Sequence, residues 1–219
     1  MTMYDNCMTN YRFIVIEGNI GAGKTTLSKK IASDYNANLI LERFADNPFL
    51  PKFYQNPERY SFPLELSFLA DRYRQLKEEL TTPNLFKPLI ISDYYFMKSL
   101  IFSKQTLSDD EYNLYKQLFD IIQKSLPKPD LFVYLSMSTE RLLYQISLRG
   151  REYEQNITAQ YLEKINNGYL EFIKQQSNIT TLIIDANNLN FVNNNEHYQK
   201  IVKAIFSKEY KHGTTTIVK

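Results

Sequence analysis

The sequence predicts an α/β fold: a five-stranded parallel sheet flanked by helices and built around a phosphate-binding loop. Short apolar runs alternate with longer segments of helical period, as in a parallel sheet covered on both faces. The run Phe13-Ile-Val-Ile16 leads directly into Gly18-Asn-Ile-Gly-Ala-Gly-Lys24-Thr25, which has Gly, four residues, then Gly-Lys-Thr. Three apolar runs end in a carboxylate, at Glu17, Glu42 and Asp93. Open α/β sheets gather ligands beyond those strand ends.

The first expected strand is 13–17. Glycines in the loop after it let backbone N–H groups curl around a phosphate at φ values that side chains resist. The expected triphosphate contacts are Gly18, Asn19, Ile20, Gly21, Ala22, Gly23, Lys24, Thr25 and Thr26. Lys24 would reach the outer phosphates and the Thr25 hydroxyl would hold Mg²⁺, while the following helix aims its partly positive N-terminus at the anion. Leu27, Ile31 and Tyr35 recur at helical spacing and place that helix over 24–35. Further strands are expected at 38–42, 89–93, 131–136 and 181–185, and further helices at 61–80, 108–125, 139–149, 159–176 and 195–209. Ser108-Asp-Asp-Glu111 has capping-box spacing, and Thr158 suits a helix N-cap. Pro127 and Pro129 end the helix before the fourth strand, and Asn193-Asn-Asn195 reads as a loop.

A chain of 219 residues suits one domain with a sizeable core. Its formal charge of +2 gives no bulk attraction to nucleic acid. No apolar run reaches the ~18 residues of a membrane span, and the opening residues do not have the pattern of a signal peptide. The single cysteine, Cys7, has no partner for a disulfide and no metal-ligand companions. A cytoplasmic location is therefore expected. His197 and His212 lie in polar surroundings far from the loop, so histidine acid–base catalysis is not expected.

Four groups of residues carry candidate chemistry. Asp93, after Leu89-Ile-Ile-Ser, suits the acidic partner of Mg²⁺ in phosphate-loop enzymes, and equally a helix N-cap. Glu42 could take a proton from an attacking hydroxyl; the competing reading is an ion pair with Arg43, which strand alternation points the other way. Glu65 and Arg72 are seven apart and share a helix face, about 10 Å apart along the axis. That spacing suits two polar groups on opposite edges of a flat heterocycle, or simply a solvated stripe. Arg149 and Arg151 flank Gly150 in Leu148-Arg-Gly-Arg-Glu-Tyr-Glu154, a basic loop suited to closing over a triphosphate at about 149–157.

With these motifs in place, the chain resembles the deoxynucleoside kinase family from about Tyr11 to Phe206, the bacterial deoxyadenosine kinases in particular. The likeness is carried by the glycine-rich loop, by Leu41-Glu-Arg-Phe-Ala-Asp-Asn-Pro-Phe-Leu50, and by Leu148-Arg-Gly-Arg-Glu-Tyr-Glu-Gln155 with Tyr161-Leu-Glu-Lys-Ile. Pro63-Leu-Glu-Leu-Ser-Phe-Leu-Ala-Asp-Arg-Tyr73 and Ser92-Asp-Tyr-Tyr add to it. The resemblance implies a P-loop kinase fold with an arginine-bearing lid, ATP and Mg²⁺, and phosphorylation of the 5′-hydroxyl of a purine deoxynucleoside for nucleotide salvage. Deoxyadenosine is the expected acceptor, with deoxyguanosine or a broader set as the alternative. By the same resemblance Glu42 is the general base and Asp93 lies near Mg²⁺ and the substrate. Tyr54 and Glu154 hold the sugar 3′-hydroxyl, Arg149 and Arg151 the phosphates, and Arg72 the base. Asp185, Asn187 and Phe191 cradle the donor adenine.

Four positions depart from the family pattern. Tyr94 replaces an arginine beside the acid, so Arg43 or a lid arginine is expected to cover that charge. Gln145 stands at a lid position that can be arginine. Glu65 replaces a base-reading glutamine, and Ser99 stands where an aspartate often assists, leaving both as candidate substrate contacts. An ionised carboxylate only accepts hydrogen bonds, which by itself favours guanine over adenine. A nucleoside monophosphate kinase would need another cationic clamp, whereas Tyr54, Glu65 and Glu154 include two acids. A guanine-nucleotide switch would show Asn-Lys-x-Asp, and no such run occurs. The family also implies a homodimer, to which Leu66, Leu69, Tyr73, Leu76 and Leu80, with Tyr112, Tyr115, Leu118, Phe119 and Ile122, could contribute.

Overall fold

The computed structural model describes residues 10–43, 47–82 and 86–218; Cys7 and the Phe44-Ala-Asp46 part of the second motif lie outside them. Strands β1 (Phe13–Gly18), β2 (Asn38–Ile40), β3 (Ile90–Ser92), β4 (Leu131–Ser136), β5 (Thr181–Asp185) and β6 (Thr215–Val218) form one sheet in the order β2-β3-β1-β4-β5-β6. Every pairing is parallel. Helices are α1 (Lys24–Asp34), α2 (Leu50–Gln55), α3 (Pro57–Thr81), α4 (Lys98–Thr106), α5 (Asp109–Ile122), α6 (Thr139–Arg149), α7 (Ala159–Gln175) and α8 (Asn195–Phe206). Strand β1 sits between β3 and β4; the chain lays β2 and β3 on one side of it and then crosses to build β4, β5 and β6 on the other. Such a reversal opens a crevice at the carboxyl end of the strand.

Strand alternation sorts the core into two layers. Ile14 and Ile16 face α1 and α8 with Leu27, Ile31, Ile201 and Ile205. Phe13 and Val15 face α7 with Ile165, Tyr169 and Phe172. A third cluster, with Leu69, Leu76, Tyr94, Phe96, Tyr115 and Phe119, joins α3 and α5 beyond the sheet edge. No described helix is long and apolar enough to cross a membrane.

The sheet has six strands where five were expected. The added β6 is a four-residue edge strand of alternating exposed and half-buried residues, aligned with β5 from Thr181↔Thr215 to Ile184↔Val218. Its two threonines, after Thr214, hid it among polar residues. Strands β2 and β3 are shorter than 38–42 and 89–93 because side chains replace their last rungs. The Asp93 N–H still donates to the Ile40 carbonyl at 3.1 Å. Beyond that, the Gln75 amide donates to the Leu41 carbonyl at 2.9 Å, and the Asp93 carboxylate accepts from the Glu42 N–H at 2.8 Å.

Helix α3 begins before the expected residue 61, with Pro57 at its first turn and the Asn56 side chain accepting from the Arg59 N–H. Proline suits that position, where its absent N–H has no intrahelical partner. Helices α2 and α4 were not expected. The stripes expected on α3 and α5 as a dimer surface mostly serve the core: Leu69, Leu76, Tyr115 and Phe119 are buried and Leu66 is exposed, while Leu114 and Ile121, outside those stripes, are also exposed on α5.

Candidate active site

The loop after β1 is held in shape by its own chain. Gly21 and Gly23 have φ of 86° and 83°, conformations that L side chains resist. A Cβ on Gly23 would stand 2.7 Å from the Phe191 ring, and one on Gly21 would stand 2.9 Å from the Leu142 carbonyl. Asn19 is buried; its amide donates to the Leu162 carbonyl at 2.7 Å and to Asn166 at 2.9 Å, while its oxygen accepts from the Ile20 N–H. Asn19 therefore ties the loop to α7 with its side chain and has only its backbone to offer a phosphate. The Lys24 ammonium donates to the Gly18 and Asn19 carbonyls at 2.8 and 2.9 Å, folded across the loop. Helix α1 starts with no side-chain cap, so its first N–H groups remain available to an anion.

Beside the loop, three of the expected residues meet. The Thr25 hydroxyl donates to one Asp93 oxygen at 2.5 Å, and the Glu42 N–H donates to the other at 2.8 Å. Asp93 thus couples the loop hydroxyl to the backbone of the candidate base. A hydroxyl and a carboxylate side by side are hard oxygen donors of the kind Mg²⁺ accepts, alongside water and substrate phosphates. The third strand-end carboxylate, Glu17, turns elsewhere. It is buried and accepts from the Tyr95 N–H and the Tyr169 hydroxyl, both at 2.8 Å. Burial raises its carboxyl above the ordinary range.

The Glu42 carboxylate is gripped by two cations. Arg72 reaches one oxygen through Nε at 2.9 Å and Nη2 at 2.7 Å, and Lys98 reaches the other at 2.5 Å. Burial alone would raise the Glu42 carboxyl, but Lys98 and Arg72 outweigh it and hold it down at about 2. The same surroundings lower the Lys24 ammonium to about 8, through burial and then the Lys98 charge.

The second cation on Glu42 is thus Lys98, and not the Arg43 or lid arginine expected beside Tyr94. Tyr94 is fully buried, and its hydroxyl donates to Gln75, which holds the Leu41 carbonyl just before Glu42. Arg43 is exposed. Lys98 was missed with α4, whose first residue it is.

One cleft joins these groups; its walls include Gly21, Lys24, Thr25, Glu42, Tyr54, Glu65, Arg72, Asp93, Lys98, Arg149, Arg151 and Glu154. Leu64, Phe68, Phe102 and Tyr161 supply apolar wall suited to a flat ring. Glu65 is 3% exposed; one oxygen accepts from the Thr106 hydroxyl at 2.9 Å and the other has no partner. Burial pushes its carboxyl up to about 7, against the pull of Arg72.

In the lid, Glu154 binds both arginines: Arg149 through Nε at 3.0 Å and a further contact from Nη2, and Arg151 through Nη1 at 3.2 Å. Gly150 makes the left-handed turn between them at φ 68°.

Other expected contacts lie behind the cleft surface. Ser99 is fully buried and accepts from Arg72 at 2.9 Å, so it positions that arginine. Thr26 is exposed and is not part of the cleft lining. Asp185 accepts from the Asn187 N–H and amide, and Asn187 accepts from the Ser138 N–H at 2.7 Å, bracing the turn after β5. Phe191 is buried against the loop at Gly23. The expected histidines stay apart from the site: His197 accepts from the Asn190 N–H, and His212 is exposed.

Known proteins are similar to this chain in sequence and fold. The chain is 38% identical over 200 residues to the deoxyguanosine kinase of Bacillus subtilis, spanning 89% of this chain and 96% of that one. It is 34% identical over 172 residues to the deoxyadenosine kinase of Dictyostelium discoideum, spanning 78% and 70%. The solved structure of M. mycoides deoxyadenosine kinase with bound dATP superposes with a TM-score of 0.75 at 27% identity, covering 88% of this chain and 98% of that chain. A sequence description of the family, "Deoxynucleoside kinase", matches residues 14–210, and the chain belongs to the deoxynucleoside kinase family.

Proposed function

We propose that this kinase transfers the γ-phosphoryl group of ATP to the 5′-hydroxyl of a purine deoxynucleoside, for nucleotide salvage. The observation that carries the reading is the Thr25–Asp93–Glu42 bridge, which sets the triphosphate loop beside a carboxylate in one cleft. The whole chain is read as one catalytic domain with its lid at about 149–157, acting in the cytoplasm.

Three of the four lone-pair positions on the Glu42 carboxylate are engaged by Arg72 and Lys98. One remains on the oxygen beside Lys98, and there the 5′-hydroxyl can donate. As the 5′-oxygen bonds to the γ-phosphorus and the bond from that phosphorus to the bridging oxygen of ADP breaks, the hydroxyl proton passes to Glu42. The low basicity of Glu42 is tolerable because a loose phosphoryl transition state asks mainly for positioning and charge stabilisation. Lys24, Arg149 and Arg151 supply that charge. Thr25 and Asp93 would hold Mg²⁺, which neutralises phosphate charge when bound. Tyr54 and Glu154 face the sugar, with Glu154 also holding the lid arginines in place. The likeness to both adenine- and guanine-deoxynucleoside kinases supports a purine.

Pairing of two copies through helices beside the sheet follows from the family likeness, with Leu66, Leu114 and Ile121 as the apolar residues left outward on α3 and α5.

The direct test of function is an initial-rate panel of the four common deoxynucleosides with ATP and Mg²⁺. Formation of a 5′-monophosphate from a purine deoxynucleoside is expected. Transfer only to nucleoside monophosphates, or to no acceptor, overturns the reading.

A further inference from the structure

Among the described residues, Glu65 is the one cleft-lining acid with a carboxylate oxygen that has no partner. It projects from α3 into the apolar part of the cleft, with Leu64 and Phe68 on its own helix and Phe102 on α4. One oxygen is occupied by Thr106 and the other has no partner, although the residue is almost entirely buried. A buried acceptor without a donor is costly to maintain and marks the place where a ligand brings one.

Arg72 stands along the same helix face. It uses three of its five N–H donors on Glu42 and Ser99, leaving two. An idle acceptor and spare donors within one apolar slot match the edge of a purine. Guanine offers adjacent donors, N1–H and the 2-amino group, beside the O6 acceptor. Adenine offers a donor, the 6-amino group, beside the N1 acceptor. An ionised carboxylate fits the first edge and confronts the lone pair of N1 in the second.

We propose that Glu65 selects between purines by its own protonation: as a carboxylate it takes the two donors of guanine, and as a carboxylic acid it offers adenine a donor and an acceptor. The inference rests on the kinase reading and deepens it, making deoxyguanosine the preferred acceptor when Glu65 is ionised. The proton on the acid form belongs on the oxygen without a partner, since the other already accepts from Thr106. The groups around this carboxyl are Arg72 and Glu42 on one side, Lys98 on α4, Tyr115 on α5 and Tyr161 on α7. Burial against these charges brings its ionisation to about 7, so both forms are populated near neutrality.

The test is the ratio of kcat/KM for deoxyguanosine to that for deoxyadenosine, measured on the full chain between about pH 6 and about pH 8. Neither purine ring titrates in that range, and every ionisation common to both reactions cancels in the ratio. If each purine uses one form of Glu65, the ratio rises about tenfold per pH unit. Calorimetry in two buffers of different ionisation enthalpy should show uptake of about one proton with deoxyadenosine at about pH 8. In Glu65→Gln, the amide is a fixed donor–acceptor pair of the same size. Its ratio should be flat with pH and shifted about a hundredfold toward deoxyadenosine. Deoxyinosine, which lacks the 2-amino donor, should fall below deoxyguanosine in the native enzyme.

A pH-independent ratio in the native enzyme, a preferred pyrimidine, or a Glu65→Gln variant that keeps the native purine preference overturns the selector while leaving the kinase intact. Failure of all four deoxynucleosides to be phosphorylated overturns the kinase reading itself.

Discussion

Glu42 shares one carboxylate between Arg72 and Lys98 in a nearly dry site, so the roles of the three residues separate only by substitution. Glu42→Ala should lower kcat by ~10²–10⁴ while ATP binding, followed by titration, is retained; near-normal turnover would remove Glu42 from the proton transfer. Lys98→Met should lower kcat by about a hundredfold with little change in KM for ATP, and Lys98→Arg should recover much of the loss. Equal rates in all three proteins would reduce Lys98 to packing.

Glu65 gives a stability prediction with a definite sign. Its folded-state ionisation, at about 7, lies above that of an unfolded glutamate, so between the two the folded protein holds a proton that the unfolded chain has released. Stability is therefore unaffected well below about pH 4, falls as pH rises, and stays reduced above about pH 7. The melting temperature of the unliganded Glu65→Gln variant should exceed that of the native protein at about pH 8 and match it at about pH 4. A constant difference between the two would contradict the assigned ionisation.

At the scale of elements, the phosphate loop depends on anchoring as much as on its own residues. Asn19 fastens it to α7, and Phe191 closes against Gly23. Gly23→Ala combines a left-handed conformation costing about 1–2 kcal/mol with a contact that the Phe191 ring must yield to. Nucleotide titration should show ATP binding weakened by at least about tenfold, with the sheet preserved by circular dichroism; unchanged affinity would mean that the loop adapts freely.

The motif and the strand ends were readable because their chemistry is local: glycine spacing, the hydroxyl after lysine, and acids closing apolar runs. Lys98 was not. Its helix buries Ser99 and Ser103 at positions where helical periodicity calls for apolar side chains, so the segment did not read as a core-facing helix. Asn19 likewise appeared as a ligand contact by its place in the motif, and its commitment to α7 depends on a residue 143 positions away.

For the whole molecule, the sheet order places the loop at the carboxyl end of β1 while α3 to α5 form a separate wall across the cleft. Residues on that wall divide between core and surface. If Leu66, Leu114 and Ile121 meet a second copy, Ile121→Lys should shift a dimer to a monomer by sedimentation at micromolar concentration without unfolding it. A native protein that sediments as a monomer would end the homodimer reading.

The sequence alone determined the parallel α/β frame, the glycine-rich loop after β1, and carboxylates just past strand ends, because period and local spacing record how backbone and side chains face. Only the tertiary structure decided that Lys98 pairs with Glu42, that Ser99 supports Arg72, and that Glu65 is buried with one oxygen unanswered. Those facts arise where α3 and α4 meet at the cleft. Charge pairing and desolvation depend on distances between distant parts of the chain, and no local spacing encodes them.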